Sequence, residues 1–151
     1  MSYEVQIKNV ESTRIAFMSY RGTIPGASKH FPAVFKSITG KTSGAPFFLY
    51  YSFDRQTGEG EMELCLPTGE TPTGHGVNVK ELPCTKAICT THFGPYEELD
   101  DAYTAIRKFA EENRLEVQMP WREIYIKGPG MLIKGNPEKY VTEIIFPLKE
   151  A

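Results

Sequence analysis

Strand-like alternation of apolar and polar residues opens the chain in "MSYEVQIKNV" (1–10) and continues past a short turn. The pattern then recurs. "VQIKNVESTRIAFMSYRG" (5–22) aligns without a gap to "VNVKELPCTKAICTTHFG" (77–94), 72 residues further on. Val5 matches Val77, Lys8 matches Lys80, Thr13 matches Thr85 and Gly22 matches Gly94. Each copy reads as two strands joined by a turn, around residues 9–12 or 81–84.

The segments after Gly22 and Gly94 also correspond. A helix is expected over 95–113, where Leu99, Ala102, Tyr103, Ile106, Phe109 and Ala110 recur at steps of three and four. Pro95 suits its first turn, Glu97, Glu98, Asp100 and Asp101 crowd its positive end, and Asn113 can close it. Its counterpart is expected over 27–39, with Pro32 tolerable only near the start and Gly40 marking the end. Next come "PFFLYYSF" (46–53) and "PWREIYIK" (120–127), then "EMELCLP" (61–67) and "YVTEIIFP" (140–147), all with strand character. "TGETPTGHG" (68–76) reads as a linker, with His75 an exposed loop residue.

The expected fold is therefore α+β, a tandem duplicated ββαββ unit in one domain, 1–151, with repeats of about 3–67 and 75–148. About eight mainly antiparallel strands would carry two helices on one face and leave a central ligand groove.

Composition narrows the function. Aromatic residues make up 12% of the chain, which argues against disorder. A net charge of -2 with no polybasic run gives no electrostatic reason to expect nucleic acid. No signal peptide or membrane-length apolar run appears. Cys65, Cys84 and Cys89 form no C-x-x-C pair, which points to reduced thiols in a cytoplasmic protein. Neither a metal site nor a cofactor is indicated.

The chemistry concentrates in "PWREIYI" (120–126). On a strand, Trp121, Glu123 and Tyr125 share one face, while Ile124 and Ile126 share the other. Ile124 and Ile126 are expected to lie under a helix, turning Glu123 to the uncovered side. Phe47, Leu49, Tyr51 and Phe53 would face the same way from the first repeat, with Leu49 nearest the place of the acid. A carboxylate walled by rings can neutralise a cation while the ring faces add attraction, and partial burial would raise its pKa. An ordinary acid paired with a lysine across the sheet is the alternative.

Three motifs, "FGPYEEL" (93–99), "PWREIYI" (120–126) and "YVTEIIFPL" (140–148), resemble the GyrI-like, or AraC-type effector-binding, domain family. The resemblance covers essentially the whole chain. It implies a duplicated fold with a central groove for bulky, often cationic and aromatic compounds, and it assigns the groove acid to Glu123. Tyr51, Tyr125, Trp121 and Phe17 are the candidate wall residues. Glu63 and Glu143, equivalent in the two closing strands, are expected to serve the fold. Tyr103 and Phe109 are expected in the core, and Tyr20 and His92 could line either face. Family regulators join this domain to a helix-turn-helix; with nothing before the first strand, a free-standing member is expected.

Three functions are compatible with that resemblance. The first is sensing or sequestration of amphipathic cations at Glu123. The second is hydrolysis of reactive electrophiles such as cyclopropane-containing compounds, with Glu123 as general base and Tyr51 or Tyr125 as proton donor. The third is a protein partner, DNA gyrase.

Overall fold

A computed structural model describes residues 3–39, 42–74, 76–128 and 135–149. Its strands are β1 (Gln6–Val10), β2 (Thr13–Thr23), β3 (Phe47–Asp54), β4 (Glu59–Pro67), β5 (Asn78–Leu82), β6 (Thr85–Phe93), β7 (Trp121–Lys127) and β8 (Val141–Pro147). Helices α1 (Ile24–Lys36) and α2 (Leu99–Glu112) follow β2 and β6. The expected α+β duplication is what the chain forms.

The compact units and the sequence repeats differ by one strand. Unit 1 comprises Met1–Val10 with Thr85–Ala151, and unit 2 comprises Glu11–Cys84. In unit 1, β1 pairs with β6, β6 with β8, and β8 with β7, all antiparallel. In unit 2, β5 pairs with β2, β2 with β4, and β4 with β3, again antiparallel. Each unit thus takes its opening strand from the other repeat. The turns at 11–12 and 83–84 lead from one unit into the other instead of closing hairpins.

Pairing register decides which side chains share a face, because one residue of slip exchanges the two faces. In unit 1, Ile88 and Ile144 lie on the α2 side in a cluster with Ala102, Ile106 and Leu148; Phe109 packs there, as expected. Ala87, Cys89 and Ile145 form a second cluster on the opposite face, and Ile124 packs against it. In unit 2, Phe31 of α1 stacks on Phe48 at 5.3 Å, which places Phe48 on the α1 side. Tyr20 meets His30 of α1 at 5.3 Å, so it too faces its helix. His92, on the α2 side of unit 1, is fully buried; its Nε2 faces the Pro95 carbonyl (3.0 Å) and so carries the proton, which in the neutral ring leaves Nδ1 to accept from the Tyr3 hydroxyl (2.8 Å).

Both helices begin differently from expectation. Helix α1 starts at Ile24 because the Thr23 hydroxyl accepts the Gly26 N–H at 3.2 Å, with Pro25 in the first turn. Pro32 consequently lies inside the helix, where its ring nitrogen cannot donate to the preceding turn. The helix ends at Lys36 with Ser37 as its cap; Gly40, like His75, lies outside the described residues. Residues Tyr96–Glu98 form a 3-10 turn before α2, and Asn113 closes α2 by donating Nδ2–H to the Phe109 carbonyl (2.9 Å).

No helix among the described residues is long and apolar enough to cross a membrane. The described residues also contain no metal-ligating cluster.

Candidate functional site

Strand β7 supplies the centre of the site. Glu123 stands opposite Ile144 of β8, and Ile144 belongs to the cluster beneath α2. The face of Trp121, Glu123 and Tyr125 is therefore the one α2 covers, contrary to the expected arrangement. Alternation separates the two sets of side chains without saying which set meets the helix. Ile124 packs on the opposite cluster, and Ile126 is the extra residue of a β-bulge, 53% exposed.

Placing a carboxylate on a helix-covered face costs desolvation unless donors replace the lost water. Two tyrosines do so. Tyr125 donates its hydroxyl to Glu123 Oε1 at 2.7 Å, and Tyr103, projecting from α2, donates to Oε2. The Tyr103 oxygen in turn accepts the Trp121 indole N–H at 3.0 Å. Glu123 is 8% exposed, so its charge sits in a nearly closed setting. Tyr103 is thus a partner of the acid, not the plain core residue its place on the helical stripe suggests.

Rings complete the surroundings. Trp121 stacks on Phe146 at 5.4 Å, and Tyr103 meets Phe146 edge-on at 5.9 Å. Tyr96 meets Tyr125 edge-on at 5.8 Å and packs on Tyr140 at 5.1 Å. Burial pushes the Tyr96 hydroxyl up to about 12, with Tyr140 and the Glu123 carboxylate adding to the rise. Sequence reasoning missed Tyr96 and Phe146 here. Their signal was position: Tyr96 lies in "FGPYEEL" and Phe146 in the closing strand.

The remaining candidates belong to unit 2. Tyr51 donates to Glu63 Oε1 at 3.0 Å, and the Lys80 ammonium donates to the same oxygen at 2.6 Å. That ammonium lies 4.4 Å from the centre of the Phe17 ring. Glu143 of unit 1 is paired the same way, with Lys8 at 2.6 Å. Lys8 and Lys80 match in the sequence repeat, as do Glu63 and Glu143, so the ion pair is duplicated with the fold.

The register also corrects the place of the acid in the first repeat. Phe48 stands opposite Leu64 of β4 as Glu123 stands opposite Ile144 of β8. The equivalent of Glu123 is Phe48, not Leu49, and that of Tyr125 is Tyr50. A gap-free alignment anchored on the two prolines is off by one residue.

Comparison with known proteins agrees with this architecture. The chain is similar in structure to the EcmrR C-terminal domain, with a TM-score of 0.84 and 22% identity over 100% of both chains. It matches EcmrR in a DNA complex with a TM-score of 0.83 and 21% identity, covering 99% of this chain and 58% of that one. A hydrolase from Listeria innocua matches with a TM-score of 0.73 and 13% identity, over 97% of this chain and 92% of that one. SAV2435 bound to tetraphenylphosphonium matches with a TM-score of 0.57 and 16% identity, over 99% and 94%. No curated protein matches. The model of the GyrI-like small molecule binding domain matches residues 3–149. With nearly the whole chain matched, this protein belongs to the GyrI-like family of small-molecule binding domains.

Proposed function

We propose that the chain binds bulky aromatic or cationic amphipathic molecules, with Glu123 as the fixed counter-charge. One observation carries this reading. The helix-facing positions held by Tyr103, Glu123 and Tyr125 in unit 1 are held by Phe31, Phe48 and Tyr50 in unit 2. The same fold is therefore built with an apolar layer at these positions. A hydrogen-bonded carboxylate in that layer is an addition the fold does not require.

The chemistry suits a large organic cation. Such an ion is weakly hydrated, so leaving water costs it little, while a carboxylate of low exposure attracts it more strongly than one in bulk water. Trp121, Tyr125 and Tyr96 add ring surface, worth about 0.5–2 kcal/mol for each face that meets the charge. SAV2435, of similar fold, holds tetraphenylphosphonium, a cation of this kind. Both Glu123 oxygens already accept tyrosine hydroxyls, which favours a stationary charge over a general base.

Titration with tetraphenylphosphonium tests the reading. The parent protein should bind it, and Glu123→Gln should bind it far more weakly. Equal affinity in the two would remove Glu123 from the site. Turnover of a strained electrophile, lost in Glu123→Gln, would favour hydrolysis instead.

A further inference from the structure

The duplicated ion pair carries a second specialisation, on the opposite face and in the other unit. Lys8–Glu143 and Lys80–Glu63 each tie an exchanged strand to its new sheet, β1 to β8 and β5 to β4. Their surroundings differ. Where unit 1 has Cys89, the repeat places Phe17 in unit 2, with its ring under the Lys80 ammonium. Where the bulge of β7 inserts Ile126, the matching bulge of β3 inserts Tyr51. The Tyr51 hydroxyl donates to Glu63 at 3.0 Å and accepts from Lys80 at 3.3 Å; its ring centre lies 5.9 Å from the same ammonium. Unit 1 keeps its ion pair without either aromatic wall, so the tie itself needs neither.

A carboxylate, a phenol and a ring face converging on one –NH₃⁺ form a box selective for an ammonium ion. The box adjoins a depression of about 450 Å³ lined by Tyr51, Glu63, Ser19, Arg21 and Glu61. Arg21 and Glu61 neutralise each other there, leaving the box as the feature that selects charge. We propose that Phe17, Tyr51 and Glu63 form a binding site for primary alkylammonium ions, which Lys80 occupies as an internal stand-in until such a ligand displaces it. Primary amines are specified because Lys80 uses two of its N–H bonds, to Glu63 and to Tyr51. A quaternary ion has none to offer.

Removing the stand-in tests this. A tethered ammonium competes at an effective concentration in the millimolar range or above. Lys80→Ala should therefore bind n-butylammonium about tenfold or more tightly than the parent protein, measured by calorimetry at matched ionic strength. Tetramethylammonium should gain much less. Adding Glu63→Gln or Phe17→Leu to Lys80→Ala should abolish the gain, and Glu123→Gln should leave it intact. Equal n-butylammonium affinity in Lys80→Ala and parent would overturn the proposal, as would a gain that survives both second substitutions. Should Lys80→Ala not fold, n-butylammonium titrated into the parent protein must shift the Phe17 and Tyr51 ring resonances. Absence of those shifts at saturating amine would overturn it equally. Loss of tetraphenylphosphonium binding in Glu123→Gln is a separate readout, so either site can fail alone.

Discussion

Glu123 and Phe48 occupy the same position in two copies of one unit, each opposite the residue after the glutamate of its closing strand. Phe48 stacks on Phe31 of its helix, whereas Glu123 accepts the hydroxyl of Tyr103 from the matching helix. The duplication thus supplies an internal reference for what the fold needs. A residue that differs between the copies while the backbone does not is released from the fold's requirements.

Binding should therefore depend on Glu123 more than stability does. Glu123→Gln keeps the shape and leaves an amide oxygen for one tyrosine, but it removes the charge. A charged hydrogen bond or close ion contact contributes about 1.5–3 kcal/mol, so the dissociation constant for tetraphenylphosphonium should rise about 10- to 150-fold. Calorimetric titration of both proteins checks this.

Importing the apolar layer should separate binding from folding. Tyr103→Phe with Glu123→Phe recreates in unit 1 the Phe31 and Phe48 of unit 2. Replacing a buried charged network with packed apolar groups is commonly neutral or stabilising by about 1–4 kcal/mol. The double variant should unfold at the same or higher denaturant concentration and lose cation binding. Tyr103→Phe alone should be less stable than either, because it leaves one carboxylate oxygen without its donor. A chemical-denaturation series of the three proteins measures the order.

Much of this was legible in the sequence, and the rest failed for identifiable reasons. The gap-free match of 5–22 to 77–94 revealed the duplication, since strand spacing and the Gly22/Gly94 match survive in both copies. Strand exchange was not legible: β1 presents the same alternation whether it pairs with β2 or with β6. The period of two grouped Trp121, Glu123 and Tyr125 correctly, but aromatic residues suit a helix-covered face as well as an open one. Tyr103 looked like core because its stripe position was apolar; only its hydroxyl distinguished it from Phe31. Tyr51 and Phe17 are expected as walls around Glu123, but the partner they share is Lys80, which the strand pattern does not bring near.

The thiols should divide by burial. Cys84 is exposed in the turn after β5, whereas Cys65 and Cys89 are buried. Burial also pushes the Cys89 thiol up to about 11, the neighbouring Lys8 ammonium offsetting part of the rise. Thiolate is the reactive form, so native protein should release one equivalent of chromophore from a thiol-exchange reagent, and denatured protein three. Cys84→Ser should abolish the native reaction.

Stability should fall in alkali. Cys89 is raised from 9.0 to about 11, and Tyr96 from 10.0 to about 12. Both groups hold their protons more tightly in the folded protein than in the unfolded chain. Their contribution is therefore complete below the unfolded values and is lost as pH rises toward the folded ones. The decline should begin above about 9 and continue to about 12. Tyr96→Phe removes the upper titration and should flatten the curve between about 10 and 12, while Cys89→Ala should flatten it between about 9 and 11. Denaturant midpoints across this range, with tyrosinate absorbance followed in parallel, test the assignment. A decline of unchanged slope in both variants would place the responsible group elsewhere.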